Sequence, residues 1–169
     1  MALAAASGVI SKPLARIADA FNESSTFSTN FTNIHYNIIG RTLDATEVLS
    51  LSAVLLQRPF CLIVPDYPNG VRATSQSIGG LSYSGSAWVR LEMNQSDGTG
   101  DNYEELQRWW DNLVGDFLLE LGQAYASNPS LLALNGWHSY ASELSGEQKA
   151  TKQGSFFRSV FKIDWGVGG

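Results

Sequence analysis

The chain is 169 residues long, which fits one domain, and 44% of it is hydrophobic, enough for a sizeable core. Charged residues make up only 16%, below the usual quarter, so partners or a Ser/Thr-rich skin are expected to cover part of the surface. A net charge of −5 with no cluster of Lys and Arg argues against a dedicated nucleic-acid binder, and no apolar run approaches the ~18 residues of a membrane span.

The opening Met1-Ala2-Leu3-Ala4-Ala5-Ala6 lacks a basic start, and Gly8, Lys12 and Pro13 interrupt it. The expectation is an unprocessed protein made in the cytoplasm. Ser11-Lys12-Pro13 opens a short helix, with proline in its first turn and Leu14, Ile17, Ala18 and Phe21 on its apolar face. Asn22 to Asn33 is rich in Ser, Thr and Asn and reads as a loop. Ile34 to Gly40 alternates as a short strand. Asp44 and Glu47 have capping-box spacing, and Val48, Leu51, Val54 and Leu55 continue a helix that ends before Pro59. Phe60 to Val64 is a strongly apolar strand closed by Pro65; the single cysteine, Cys61, lies in it and reads as a core residue.

Asp66 to Gly85 contains Pro68, Gly70, Gly79, Gly80 and Gly85 and reads as a long loop, with Val71 to Ser77 as an extended arm inside it. Ser86 to Asn94 is a strand with Val89, Leu91 and Met93 on one face and Trp88, Arg90 and Glu92 on the other. A Gly-rich turn, Gln95 to Gly100, leads into the longest helical pattern, Asp101 to Ala126. Tyr103, Leu106, Trp110, Leu113, Phe117, Leu121 and Ala124 recur there at steps of three and four. Asp101 with Glu104, or Asn102 with Glu105, supplies a capping-box offset, and Asn128-Pro129 stops the pattern. Leu131 to Leu134 closes the helical region. Gly136 to Leu144 is a weaker strand, with Trp137 and Ser139 alternating with His138 and Tyr140. Ser145 to Gly154 is a polar loop. Ser155 to Trp165 is a strand with Phe157, Phe161, Ile163 and Trp165 on one face and Arg158, Lys162 and Asp164 on the other.

This order predicts an α+β fold: a mostly antiparallel sheet with a long helix and shorter helices packed on one face. Catalytic signatures are weak. Ser82 and Ser84 lie among glycines, but no helix follows them as a nucleophile elbow requires. His35 and His138 lie in separate strands without metal-ligand spacing. Asp97-Gly98-Thr99-Gly100-Asp101 lacks the ligand alternation of a calcium loop. No catalytic residue, cofactor or metal is expected, and the chain is read as a non-enzyme.

Several phrases together carry a resemblance. An N-terminal helix and a divergent insert precede an apolar strand ending in proline (Pro59 to Pro65). A glycine-bearing excursion and an alternating strand (Ala87 to Met93) follow. A long helix ends near Asn128-Pro129-Ser130-Leu131, and a final strand runs from Phe156 to Trp165. From roughly Pro13 to Trp165 the chain resembles the tail terminator, or tail completion, proteins of long-tailed bacteriophages and related particles. The resemblance implies a tail-tube-like fold and a hexameric ring located in the virion, at the neck of the tail. Such a ring ends tail-tube polymerisation and joins the tail to the head connector. Its partners would be other copies of itself, the tail-tube protein and a connector or stopper protein, with DNA passing through the lumen without specific binding and no membrane involved. Segments 66–85 and 145–154 would then reach neighbouring subunits, and the expected contact residues are Asp66, Tyr67, Val71, Arg72, Tyr83, Trp88, Glu147, Lys149 and Lys152. The competing readings are a tail-tube or neck stopper subunit and, from another class, a small ligand-binding or enzymatic α+β domain.

Overall fold

The computed structural model describes residues 8–36, 57–66, 71–75, 81–127, 132–145 and 155–167. The expected helix over Asp44 to Gln57, the loop 145–154 beyond its first residue, and Tyr67, Glu147, Lys149 and Lys152 lie outside them, apart from Gln57 and Ser145. Three helices are described: α1 (Gly8–Asn22), α2 (Ser25–Asn30) and α3 (Tyr103–Ser127). Six strands are described: β1 (Asn33–Tyr36), β2 (Phe60–Pro65), β3 (Val71–Ser75), β4 (Leu81–Asn94), β5 (Leu132–Ser145) and β6 (Phe156–Val167). They form one mixed sheet of order β1-β2-β4-β6-β5, with β3 also paired to β4. Only β1–β2 is parallel; the other four pairings are antiparallel. The chain is therefore an α+β protein.

The alternation in the strands decides the faces. Ala87, Val89, Leu91 and Met93 of β4 align with Ile163, Phe161, Ser159 and Phe157 of β6, and Cys61 and Ile63 of β2 join them. This face packs against Leu14, Ile17 and Phe21 of α1, Phe27 of α2, and Leu106, Trp110, Val114, Phe117 and Leu121 of α3 in a single core. The apolar stripe of α3 recurs at three- and four-residue steps, so a 25-residue helix presents one ridge to the sheet. Aromatic rings continue the contact. Phe21, Phe27 and Phe117 lie with centroids 4.9–5.3 Å apart, and Trp110 stacks on Phe157 at 5.3 Å. Each such pair contributes about 0.5–1.5 kcal/mol beyond area burial.

Several expectations need correction. α1 begins at Gly8, so Pro13 falls inside the helix rather than in its first turn. The polar run after Asn22 is not all loop. Ser24 caps α2, its Oγ accepting from the Phe27 amide at 3.1 Å, and buried Phe27 and Phe31 anchor the turn from beneath. Segment 66–85 is not one loop either, because 71–75 and 81–85 pair as the β3–β4 hairpin. Leu132 to Leu134 belong to β5, not to a helix end. β5 has register shifts between Leu134 and Gly136 and between His138 and Ala141, and Ser139 there takes a φ of 57°. The second irregularity breaks the period of two, so Tyr140 lies beside Trp137 instead of opposite it. At the start of α3, Asn102 Oδ1 accepts the Glu105 amide at 3.0 Å, and Glu105 returns to the Asp101 amide at 2.8 Å. The Asn102 and Glu105 alternative is thus the cap.

Candidate functional site

The second face of the sheet sets charges among buried apolar side chains, Phe60, Leu62 and Val64 of β2 and Val160 of β6. Glu92, fully buried in β4, accepts from three arginines. Arg58 Nε donates to Oε2 at 2.9 Å, while Arg90 Nε and Arg158 Nε donate to Oε1 at 2.8 and 2.7 Å; a second Arg90 nitrogen also reaches Oε1. Arg158 continues to Glu143 of β5 at 3.2 Å. The Arg58 guanidinium lies 3.7 Å over the Phe156 ring, and that of Arg90 lies 5.5 Å from the Phe60 centroid. Burial pushes the Arg90 guanidinium below its ordinary value, Glu92 opposes that, and the Arg158 and Arg58 charges add to it. These groups hold β4, β6 and β5 to one another, with Arg90 and Glu92 fully buried and Glu143 at the exposed end.

Two smaller clusters lie further along the same face. Asp66 is 3% exposed, accepts from Trp88 Nε1 at 2.9 Å and pairs with Lys162 at 2.9 Å, whose ammonium lies 4.8 Å over the Trp88 ring. Asp66 and Trp88, expected at a subunit contact, thus hold the end of β2 against β4 and β6 within one chain. Beyond them Ser86 donates to Asp164 Oδ1 at 2.5 Å, Asp164 Oδ2 pairs with His138 Nε2 at 3.2 Å, and His138 Nδ1 meets Ser139 Oγ at 2.9 Å. The residue types are those of a nucleophilic triad. However, Ser139 and His138 are sequence neighbours, and the His138 and Asp164 side chains are 47% and 43% exposed, so water screens the pair. The string reads as a clasp between β5 and β6. Ser82 and Ser84 fall inside β4, not at a strand-to-helix turn. His35 sits in β1, at the opposite edge from His138, and burial lowers its pKa. Cys61 is buried in β2 and burial pushes its thiol well up, so it is a core group. Among the described residues no three His, Cys, Asp or Glu side chains converge as a metal site requires.

A concave feature lies on the helix face, between α3 and β5. It is a groove of about 430 Å³ lined by Asp111, Gly115, Leu118, Leu119, Trp137 and Tyr140. Asp111, Gly115, Leu118 and Leu119 follow at helical spacing along one side of α3. Leu119 and Trp137 are 64% and 47% exposed, unusual for large apolar groups. A polar string forms one end of the groove. Asp111 Oδ1 accepts from Ser142 at 2.7 Å and from Tyr140 at 3.2 Å; Gln107 Nε2 donates to Ser142 at 3.0 Å. Tyr140 also meets Ser159, which accepts from buried Trp110 Nε1 at 2.7 Å. Burial raises the Tyr140 pKa, and its hydroxyl donates to Asp111 Oδ1. β5 beside the groove is 14 residues long and, among the described residues, pairs only with β6. Among the described residues no strand pairs with its outer backbone edge.

Of the remaining expected contact residues, Val71 and Tyr83 are half-buried against the core, while Arg72 is exposed on β3. Sequence reasoning did not find the groove. Its available signal was Gly115, a glycine among strong helix formers in the middle of α3. No protein-family model matches the chain, and no curated protein matches its sequence.

Proposed function

We propose that the chain is a structural subunit of a virion tail, of the tail-terminator kind. Copies join head to tail into a closed ring, hexameric by the resemblance drawn from the sequence. The ring ends tail-tube polymerisation and links the tail to a connector or stopper protein, while DNA passes through its lumen unbound. On this reading the sheet is tail-tube-like and the protein acts at the neck of the virion by assembly rather than by catalysis.

The observation that carries the reading is the shape of the sheet's margins. β5 offers a long outer strand on one side, and β3 with the first residues of β4 forms a hairpin on the other. A chain with different open features at its two sides makes heterologous contacts, and these close into a ring when the rotation between copies is right. Strand addition at an open edge supplies backbone hydrogen bonds, and exposed Trp137 and Leu119 beside β5 add apolar area. The acidic balance suits a lumen that must not grip DNA.

Negative-stain imaging of the purified protein mixed with tail tubes tests the role. The expected result is rings alone in the unmixed sample and density capping one end of the tubes in the mixture. Long tubes grown from this chain alone would assign it to the tube instead. Neither rings nor capped ends would remove the virion reading.

A further inference from the structure

We propose that the groove between α3 and β5 receives the Arg72 guanidinium of a second copy of this chain, making it the contact that repeats around the assembly. The inference rests on the head-to-tail assembly proposed above.

The groove has the chemistry of a cation site. The Trp137 and Tyr140 rings stand at 70° to each other with centroids 6.2 Å apart, and Asp111 lines the same groove. The Asp111 carboxylate is steered through Oδ1 by Tyr140 and Ser142. Aromatic faces with a carboxylate suit a guanidinium, which stacks and donates in one plane. Leu118 and Leu119 offer apolar wall for the aliphatic stem.

Gly115 supplies an independent mark. A methyl group built there would meet no heavy atom within 4 Å, so nothing among the described residues requires a glycine. A mid-helix glycine nonetheless costs about 0.5–1 kcal/mol relative to alanine. Its use is the room it leaves along the groove for a side chain lying against the helix.

Arg72 is the complementary group. Among the described side chains, every other arginine or lysine has a carboxylate partner. Arg16 pairs with Asp19; Arg58, Arg90 and Arg158 with Glu92; Arg108 with Glu104; and Lys162 with Asp66. Arg72 is exposed and has none among the described residues. Its placement also fits. β3 and β5 lie on opposite sides of the β4–β6 pair. Arg72 aligns with Ser84, on the face that continues through Ser86 and Trp88, whereas Trp137 aligns with Ile163 on the helix face. Donor and groove therefore occupy opposite edges and opposite faces. One copy laid with its β3 margin over the β5 margin of the next brings them together, and the same overlap repeats from copy to copy.

The test compares assembly of the full chain with that of its R72E and G115L variants at matched concentrations, by native mass spectrometry, with circular dichroism to verify helix content. Arg72 is exposed and Gly115 has open space, so both variants are expected to fold. Each is expected to weaken association about tenfold or more, from loss of a stacked, charge-assisted contact. Association of both variants equal to that of the parent overturns the proposal and leaves ring assembly standing. Loss in G115L with R72E unaffected assigns the groove to another segment and overturns the role of Arg72. A parent chain that stays monomeric overturns both the proposal and the assembly it rests on.

Discussion

The two faces of the sheet differ in what they bury: one is almost wholly apolar, and the other sets charges among the buried apolar side chains of Phe60, Leu62, Val64 and Val160. On the helix face, apolar side chains of β2, β4 and β6 interdigitate with three helices, and the Trp110–Ser159 hydrogen bond is buried among them. On the other face, Arg90 and Glu92 are as buried as any leucine, and the charges are tied in a network across β4, β6 and β5. An apolar face drives folding but distinguishes poorly between registers that keep the alternation. A network in which Glu92 must meet Arg58, Arg90 and Arg158 together is met in one register only. The comparison suggests a division of labour: the helix face supplies most of the apolar burial, and the charged face fixes the alignment of β4, β6 and β5.

Matched small changes on the two faces sharpen this contrast most. Glu92→Gln keeps the shape but removes the charge under three guanidiniums. It is expected to cost about 3–5 kcal/mol, the range for breaking a buried pair from one side. Ile63→Val, one methylene less on the helix face, is expected to cost about 0.5–1.5 kcal/mol. Urea denaturation of both variants checks the difference, and equal costs would refute the division.

Glu120 tests how the helices are held to one another. It reaches from α3 to the start of α2, accepting from Ser24 Oγ at 2.6 Å, Thr26 Oγ1 at 2.5 Å and the Thr26 amide at 3.1 Å. These bonds, Ser24 first, hold its pKa at about 2 against an ordinary 4.5. A depressed carboxylate contributes stability above its unfolded value and loses it as pH falls toward the folded one. The parent chain is therefore expected to lose stability between 4.5 and about 2. Glu120→Gln should be less stable at neutral pH, and the gap should close across that window. A pH series of denaturation midpoints measures it. A constant gap would mean that the contact acts through packing alone.

The smallest expected effect is a gain. Gly115→Ala adds a methyl group in open space and removes a helix-interior glycine, so it should stabilise the monomer by about 0.5–1 kcal/mol. Thermal denaturation checks it, and destabilisation would mean that α3 needs the glycine for itself.

The part of the fold legible in the sequence is the part governed by period. Trp88, Arg90 and Glu92 opposite Val89, Leu91 and Met93, and the aromatic face of β6, follow directly from alternation. The stripe of α3 follows from three- and four-residue steps. What was not legible depends on partners distant in sequence. α2 hides in a Ser/Thr/Asn run because its helix is fixed by the Ser24 cap, Glu120 and buried Phe27 rather than by propensity. The start of β5 at Leu132 follows from pairing with Val167, which no local pattern announces. The irregularity at Ser139 turns Tyr140 to the side of Trp137, where both line the groove. Asp66 looked like a loop residue free to reach a neighbour, and its burial by Trp88 and Lys162 is a tertiary fact. Among the described residues expected at contacts, Arg72 is exposed, while Val71, Tyr83 and Trp88 are half-buried and Asp66 is buried.

The central claim is that this chain closes into a ring through unlike edges. Native mass measurement of the purified protein across a range of concentrations tests it most directly. The account predicts one discrete closed oligomer, with six copies as the resemblance implies, that does not grow further as concentration rises. A monomer at every concentration, or open polymers that lengthen without limit, would contradict it.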